Sequence, residues 1–492
     1  MTDAGDATRD VVVVGGGVSG LACAVAAARA GLRPLVLERS SLLGGRARSW
    51  TDEKTGDPVH IGPHIMLSQY QNFFALLEMV GGMDKVVWQP MPDFITMVEG
   101  TTEVTMGLAD LPPPMPFLPS VLADKSVGLV DKLSNFRLTA WAMTITEEEV
   151  LRLDDKDART LLREMGVTER YIDRFWSFVS MAIMNVPLDR CSAAALMRFY
   201  RRLVGHRRCQ VAFADGGLGD LFAPGARDVI EAAGGEVRTR TAVAGFALDE
   251  AGGVDGVVLE GGEVLRARAV VTALTPQELA TLAHPSWEGR RPFSDLARFE
   301  PCPYVSTYLW FDEKLTKRQF WARVHREDDL NCDFYDLSNI HRGWESRPSV
   351  ICTNAIWSHR AAHLSDAEVV ERTRAELAEY LPRAAKAKLV HSVVNRIPMA
   401  IHCPQPGTEA LRPDIATGIR GLYLAGDWTK TGFPSSMEGA ARSGFLAAER
   451  VLEVHGRRER VAIDHDDVEG FTRLFGRVAA WRRGLSRELA TT

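Results

Sequence analysis

The stretch that most restricts what this chain can fold into is residues 11–46, VVVVGGGVSGLACAVAAARAGLRPLVLERSSLLGGR. Val11 to Val14 form an apolar run of strand type, and Gly15, Gly17 and Gly20 follow at G-x-G-x-x-G spacing, ahead of a helix predicted over about 18–30. A second apolar run ends at Glu38, 18 residues beyond Gly20, with Arg39 next to it. Strand, glycine turn, helix, strand and acid in this order predict a parallel β-α-β unit that holds a dinucleotide. The glycines let the backbone approach a diphosphate, and the helix N-terminus, where Val18 and Ser19 fall, attracts its charge. Glu38 is placed to accept hydrogen bonds from the ribose hydroxyls.

The chain has 492 residues, room for two or three domains. It is 46% apolar and 25% charged, which is ordinary for a soluble globular protein. A net charge of −6 argues against a general nucleic-acid binder, since phosphate neutralisation needs a basic excess. The seven cysteines are scattered and lack C-x-x-C spacing, so they predict neither a metal site nor a disulfide framework. The opening MTDAGDATRD has no basic region or apolar core of a signal peptide, and no run of about 18 apolar residues follows. A cytoplasmic setting is expected.

Three distant segments read as one nucleotide-binding domain: 9–106, 211–299 and 406–455. In the second, a strand is predicted over Glu236 to Val243, a small antiparallel unit over Gly252 to Val271, and a further strand at Ala269 to Ala273. Between these segments lie 107–210, opening on LPPPMPFLP and continuing as a helical cap, and 300–405, where YVSTYLWF and PSVICTNAIW predict strands before a charged helix at 365–381. The tail, 456–492, spaces Phe471, Leu474, Phe475, Val478, Trp481, Leu485 and Leu489 at helical intervals among five arginines, Arg473, Arg477, Arg482, Arg483 and Arg487. Such a basic amphipathic helix docks on the protein or lies on an anionic membrane surface.

Gly44, Gly45 and Arg46 follow the ribose acid closely, and LYLAGDW at 422–428 precedes SMEGAARSG at 436–444. Together with DPVHIGPHIMLSQYQNFFALLEMVG at 57–81 and RFWSFVSMAIMNVPLDRCSAAAL at 174–196, these motifs resemble the FAD-dependent carotenoid and squalene desaturase family, within the flavin amine oxidase superfamily. The resemblance implies an α/β, two-domain flavoprotein: a glutathione-reductase-like Rossmann FAD-binding domain with an inserted substrate domain of mixed sheet and helical cap. It implies non-covalent FAD, with Arg46 at the diphosphate, Gly62, Pro63 and His64 beside the flavin ring, Val243 near the adenosine end, Gly426 and Asp427 at the ribityl chain, and Ser436, Met437 and Glu438 opening a helix aimed at the ring. His64 and Arg442 are the two candidates for a catalytic role.

The same resemblance implies a lipophilic isoprenoid substrate, either desaturated or dehydroxylated by hydride exchange with the flavin, and a quinone or other electron partner, with peripheral contact to a membrane. Two alternatives share the fold. A flavin amine oxidase commonly holds its amine between two aromatic rings, but the corresponding positions here are Ser436 and the stretch Ala400 to His402, without Tyr or Trp. A non-catalytic prenyl- or lipid-binding protein has no need for the complete set of flavin-binding residues.

Overall fold

The computed structural model describes residues 8–324, 326–465 and 468–490, the side chains of 482–490 excepted. Val11–Val14 is the middle strand of a five-stranded parallel sheet in the order Glu236–Arg238, Pro34–Leu37, Val11–Val14, Val270–Thr272, Leu422–Leu424. All four valines are buried, which accounts for an uninterrupted apolar run in place of an alternating one. The helix Val18–Arg29 follows the glycine turn and crosses Met437–Val454 so closely that a Cβ at Gly444 would stand 2.2 Å from the Ser19 carbonyl oxygen. The first, second and last segments of the chain therefore build one domain, and the small residues at this crossing close it.

A seven-stranded mixed sheet forms the second body, in the order Leu389–His402, Pro301–Phe311, Val350–Ala355, Asp333–Asp336, Phe320–Arg323, Asp93–Glu99, Thr102–Gly107. Its last two strands correct the expected boundary at 106: they pair with each other and with Phe320–Arg323, so the first nucleotide-binding segment ends before Asp93. A second correction concerns 236–243. The strand stops at Arg238, Arg240 adopts a positive φ of 53°, and Val243–Leu248 begins a separate antiparallel sheet with Val254–Leu259 and Val264–Arg266. The charged helix is present as Asp366–Tyr380, N-capped by Ser365.

Short helices, among them Leu118–Ala123, Leu129–Ser134 and Phe136–Ala142, make the cap and lead through π-helical turns at Ile172–Trp176 and Ser180–Met184 to the helix Ala193–Leu203. The tail forms the helix Gly470–Ala490. Its first turn docks on the cap, with Phe471 N donating to Pro113 O and Thr472 Oγ1 to Val204 O, while Leu474, Phe475, Val478 and Trp481 remain exposed. Arg482, Arg483, Leu485, Arg487 and Leu489 fall outside the described side chains.

Candidate functional site

The cofactor cradle is built by backbone that glycine alone permits. Gly15 has φ 109°, and a Cβ at Gly20 would lie 2.0 Å from the Gly15 carbonyl oxygen. Gly20 therefore packs behind the turn and does not line the cavity, which corrects its expected place in the cofactor contacts; its task is to let helix and strand meet. In front of the turn, Gly17 and Gly45 face each other so tightly that a Cβ on Gly45 would come within 3.1 Å of the Gly17 Cα. Glu38 accepts from Gly16 N and Ser40 N, both at 2.8 Å, so its carboxylate is oriented by the glycine turn and the loop that follows it.

These residues open onto a cavity of about 930 Å³ that continues between the two sheets. Gly15, Gly17, Val18, Ser19, Glu38, Arg39, Gly44, Gly45 and Arg46 line one end, with Val243 beside them. Gly62, Pro63, His64, Gly426, Asp427, Ser436 and Met437 line the middle. A dinucleotide cradle whose faces a Cβ would fill, an acid at the ribose end and an arginine in the centre together fit FAD. When bound there, FAD supplies two-electron redox chemistry.

Arg46 donates to Asp427 Oδ1 at 2.6 Å and to the Ala400 carbonyl at 3.0 Å, tying the first motif to the last. Burial would raise the Asp427 pKa, but Arg46 foremost among its charged neighbours outweighs that and holds the carboxyl below its usual range. Beneath this pair lies a buried ion cluster. Glu409 accepts from Arg198 of the cap and, at 3.1 Å, from Arg412, whose Nη2 donates to the Asp427 carbonyl at 2.8 Å. The cap and the loop that carries Asp427 are thereby joined through one carboxylate. Burial alone would raise its pKa, yet Arg412 and Arg198 lower it to about 2.

Two further expected site residues lie elsewhere. Glu438 turns away from the cavity and accepts from Asn72 Nδ2 at 2.7 Å and Phe73 N at 2.9 Å, at the positive N-terminus of the helix Gln71–Val80. Arg442 pairs with Asp464 at 2.8 Å and does not reach the cavity. Both sit on the face of their helix opposite Met437 and Ala440, which do line it. His64 is at the wall, its Nδ1 2.7 Å from the Gly62 carbonyl; burial, partly opposed by that bond and reinforced by Arg46, keeps it neutral by lowering its pKa.

Sequence reasoning missed a polar group on the substrate sheet. Tyr304, Asp333, Tyr335 and Asn354 come from three strands and line the cavity beyond Pro63, whose carbonyl accepts from Asn354 Nδ2 at 3.2 Å. Tyr335 Oη donates to Asp333 Oδ2 at 2.8 Å, while Tyr304 Oη, Asp333 Oδ1 and Asn354 Oδ1 have no hydrogen-bond partner. The available signal was DFYD at 333–336, two acids in a strand otherwise of core type.

A parallel dinucleotide-binding sheet, a second mixed sheet and a shared cavity between them define a two-domain flavoprotein. The chain belongs to the family described as flavin containing amine oxidoreductase, which matches residues 18–452, and it is an FAD-dependent oxidoreductase. Among similar proteins, the 15-cis-phytoene desaturase of Synechococcus elongatus is 26% identical over 459 residues, covering 90% of this chain and 95% of the relative. The tomato (Solanum lycopersicum) chloroplastic/chromoplastic 15-cis-phytoene desaturase is 27% identical, covering 90% of this chain and 78% of the relative. Of solved structures, wild-type putrescine oxidase bound to putrescine superposes with a TM-score of 0.70 at 18% identity, covering 92% of this chain and 100% of that one, a likeness of fold.

Proposed function

We propose that this enzyme desaturates a lipophilic polyisoprenoid of the carotenoid type at a membrane surface and passes the electrons to a quinone or a similar acceptor. The observation that carries the reading is the continuity of the cavity: from the glycine cradle it runs without a break past His64 to Ile183, Phe199 and Leu203 of the apolar cap. The names of the two phytoene desaturases support the same substrate class. An amine substrate is less well supported, since Ser436 and Ala400 stand in the cavity wall where paired aromatic rings would be needed. The test is anaerobic mixing of the holoenzyme with carotene-type and squalene-type lipids and with an amine panel. Bleaching of the flavin by an isoprenoid, with a product lighter by two hydrogens, is expected; bleaching by amines alone overturns the reading.

The membrane contact rests on the outer surface of the cap. Val130 is 75% exposed and Phe136 73%, with Leu122, Leu129 and Leu133 beside them in sequence, and on the tail helix Trp481 is 66% exposed near Arg473 and Arg477. No helix among the described residues is long and apolar enough to cross a membrane. Cap and tail would instead sink apolar side chains into one leaflet while the arginines meet anionic headgroups, each worth about 1 kcal/mol near the surface. Co-sedimentation with anionic vesicles is expected, weakened roughly tenfold by the double change Val130→Asp and Phe136→Asp at fixed ionic strength; equal binding of this variant and the wild type would remove the cap from the contact.

A further inference from the structure

The desaturase reading leaves one chemical task unassigned. Creating a carbon–carbon double bond removes a hydride from one carbon and a proton from its neighbour, and that proton needs an acceptor in the cavity wall. We infer that the Asp333 carboxylate accepts that proton, a reading that rests on the proposed desaturation.

Geometry singles out this residue. Asp333 is 4% exposed and lies in the cavity wall, directly across the strand pair from Asn354, which holds the Pro63 carbonyl of the Gly62–His64 loop. One of its oxygens accepts from Tyr335 Oη, and the other makes no hydrogen bond of normal geometry, with Asn354 beside it across the strand pair. A buried carboxyl oxygen left without a hydrogen bond is costly and is retained where it has work to do. Its titratable neighbours are Tyr335 and Cys332 on its own strand and beside it, Tyr304 across the sheet and Cys352 on the adjoining strand; burial raises the pKa of each, so all are neutral near pH 7. With no cation among these neighbours, burial pushes the Asp333 carboxyl up to about 7, against the lowering effect of Tyr335 and Asn354. A group titrating there is ionised often enough to act as a base and basic enough to keep the proton. His64 is a poorer acceptor, because burial, reinforced by Arg46, depresses its pKa.

The balance is complete within the proposed reaction. One C–H bond would give up its hydrogen with both electrons, which FAD, when bound in the cradle, would accept. The adjacent C–H bond yields its proton to Asp333, its electron pair becomes the new π bond, and the carboxylic acid later releases the proton to solvent. A carboxylate also stabilises the positive charge that grows on the substrate as the hydride leaves, an effect magnified by its burial.

The experiment pairs kinetics with a readout independent of turnover. Wild-type flavin reduction by an active isoprenoid should rise with pH around a midpoint near 7. Asp333→Asn, close to isosteric, should slow it on the order of 100-fold and abolish that pH limb. Tyr335→Phe, which removes a bond favouring the charged form, should move the midpoint to higher pH. Infrared titration of the resting holoenzyme should show a protonated-carboxyl band that disappears around the same midpoint in the wild type and is missing from Asp333→Asn. If Asp333→Asn lacks the band but keeps the wild-type rate and pH limb, or if the band survives in it, the assignment to Asp333 is overturned while desaturation stands. If no isoprenoid reduces the wild-type flavin, the desaturase reading falls and the proton acceptor falls with it.

Discussion

Changing Glu409 to alanine is expected to destabilise the protein by about 3–5 kcal/mol, the cost of breaking a buried ion pair from one side. The change would leave Arg198 and Arg412, both almost wholly buried, facing each other without their shared carboxylate. Arg198 would keep Glu147 as a partner at the surface side, whereas Arg412 would keep only carbonyl and hydroxyl acceptors. Because Arg412 holds the Asp427 and Thr429 carbonyls, the damage should extend to the flavin-binding loop and lower FAD retention. Urea unfolding of the apo- and holoprotein, with flavin release followed by absorbance, measures both. The pH dependence has a definite sign. With its folded pKa depressed to about 2 from an ordinary 4.5, Glu409 contributes stability that is fully present above pH 4.5 and is lost as pH falls toward 2. The alanine variant should lack that share of the acid-induced loss. An unfolding midpoint equal to that of the wild type at neutral pH would mean that the cluster holds nothing together.

The second large effect is expected at Gly20, where alanine should produce a protein that is purified almost free of flavin. Its Cβ would sit 2.0 Å from a backbone oxygen of Gly15, a contact that no side-chain rotation can relieve. The turn would have to open, and with it the approach of the Gly15 to Gly17 backbone to the diphosphate. Gly261→Ala is the matched control: nothing lies within 4 Å of the Cβ it adds, so flavin content and unfolding midpoint should stay at the wild-type level. Full flavin loading of Gly20→Ala would show that the turn tolerates a shift of more than an ångström.

The fate of individual residues shows what a linear reading can reach. Glu38, Arg46 and Asp427 line the cavity because each stands at a fixed offset from a strand end or glycine turn, so local geometry places it. Glu438 and Arg442 belong to an equally recognisable motif, yet successive residues on a helix point about 100° apart, and which face meets the cavity depends on how the helix packs. The expected boundary at 106 overshoots Asp93 for a similar reason. The strands Asp93–Glu99 and Thr102–Gly107 make a local hairpin, and nothing local states that its open edge joins Phe320–Arg323, more than two hundred residues away.

By itself the sequence determined that this chain folds as a dinucleotide-binding protein, and it singled out two motifs nearly four hundred residues apart, at 11–46 and 422–444, both of which line the one cavity. Those motifs are statements about the backbone: glycines at turns, a strand before them, a helix after them. The tertiary structure alone decided what surrounds the reacting end. Asp333, Tyr335, Tyr304 and Asn354 meet only because three strands pair across a sheet, and Glu409 meets Arg198 only because the cap folds back onto the cofactor domain. The chemistry of these side chains comes from burial and from partners brought from far along the chain, so it comes into being only when the sheet and the cap close over the cavity.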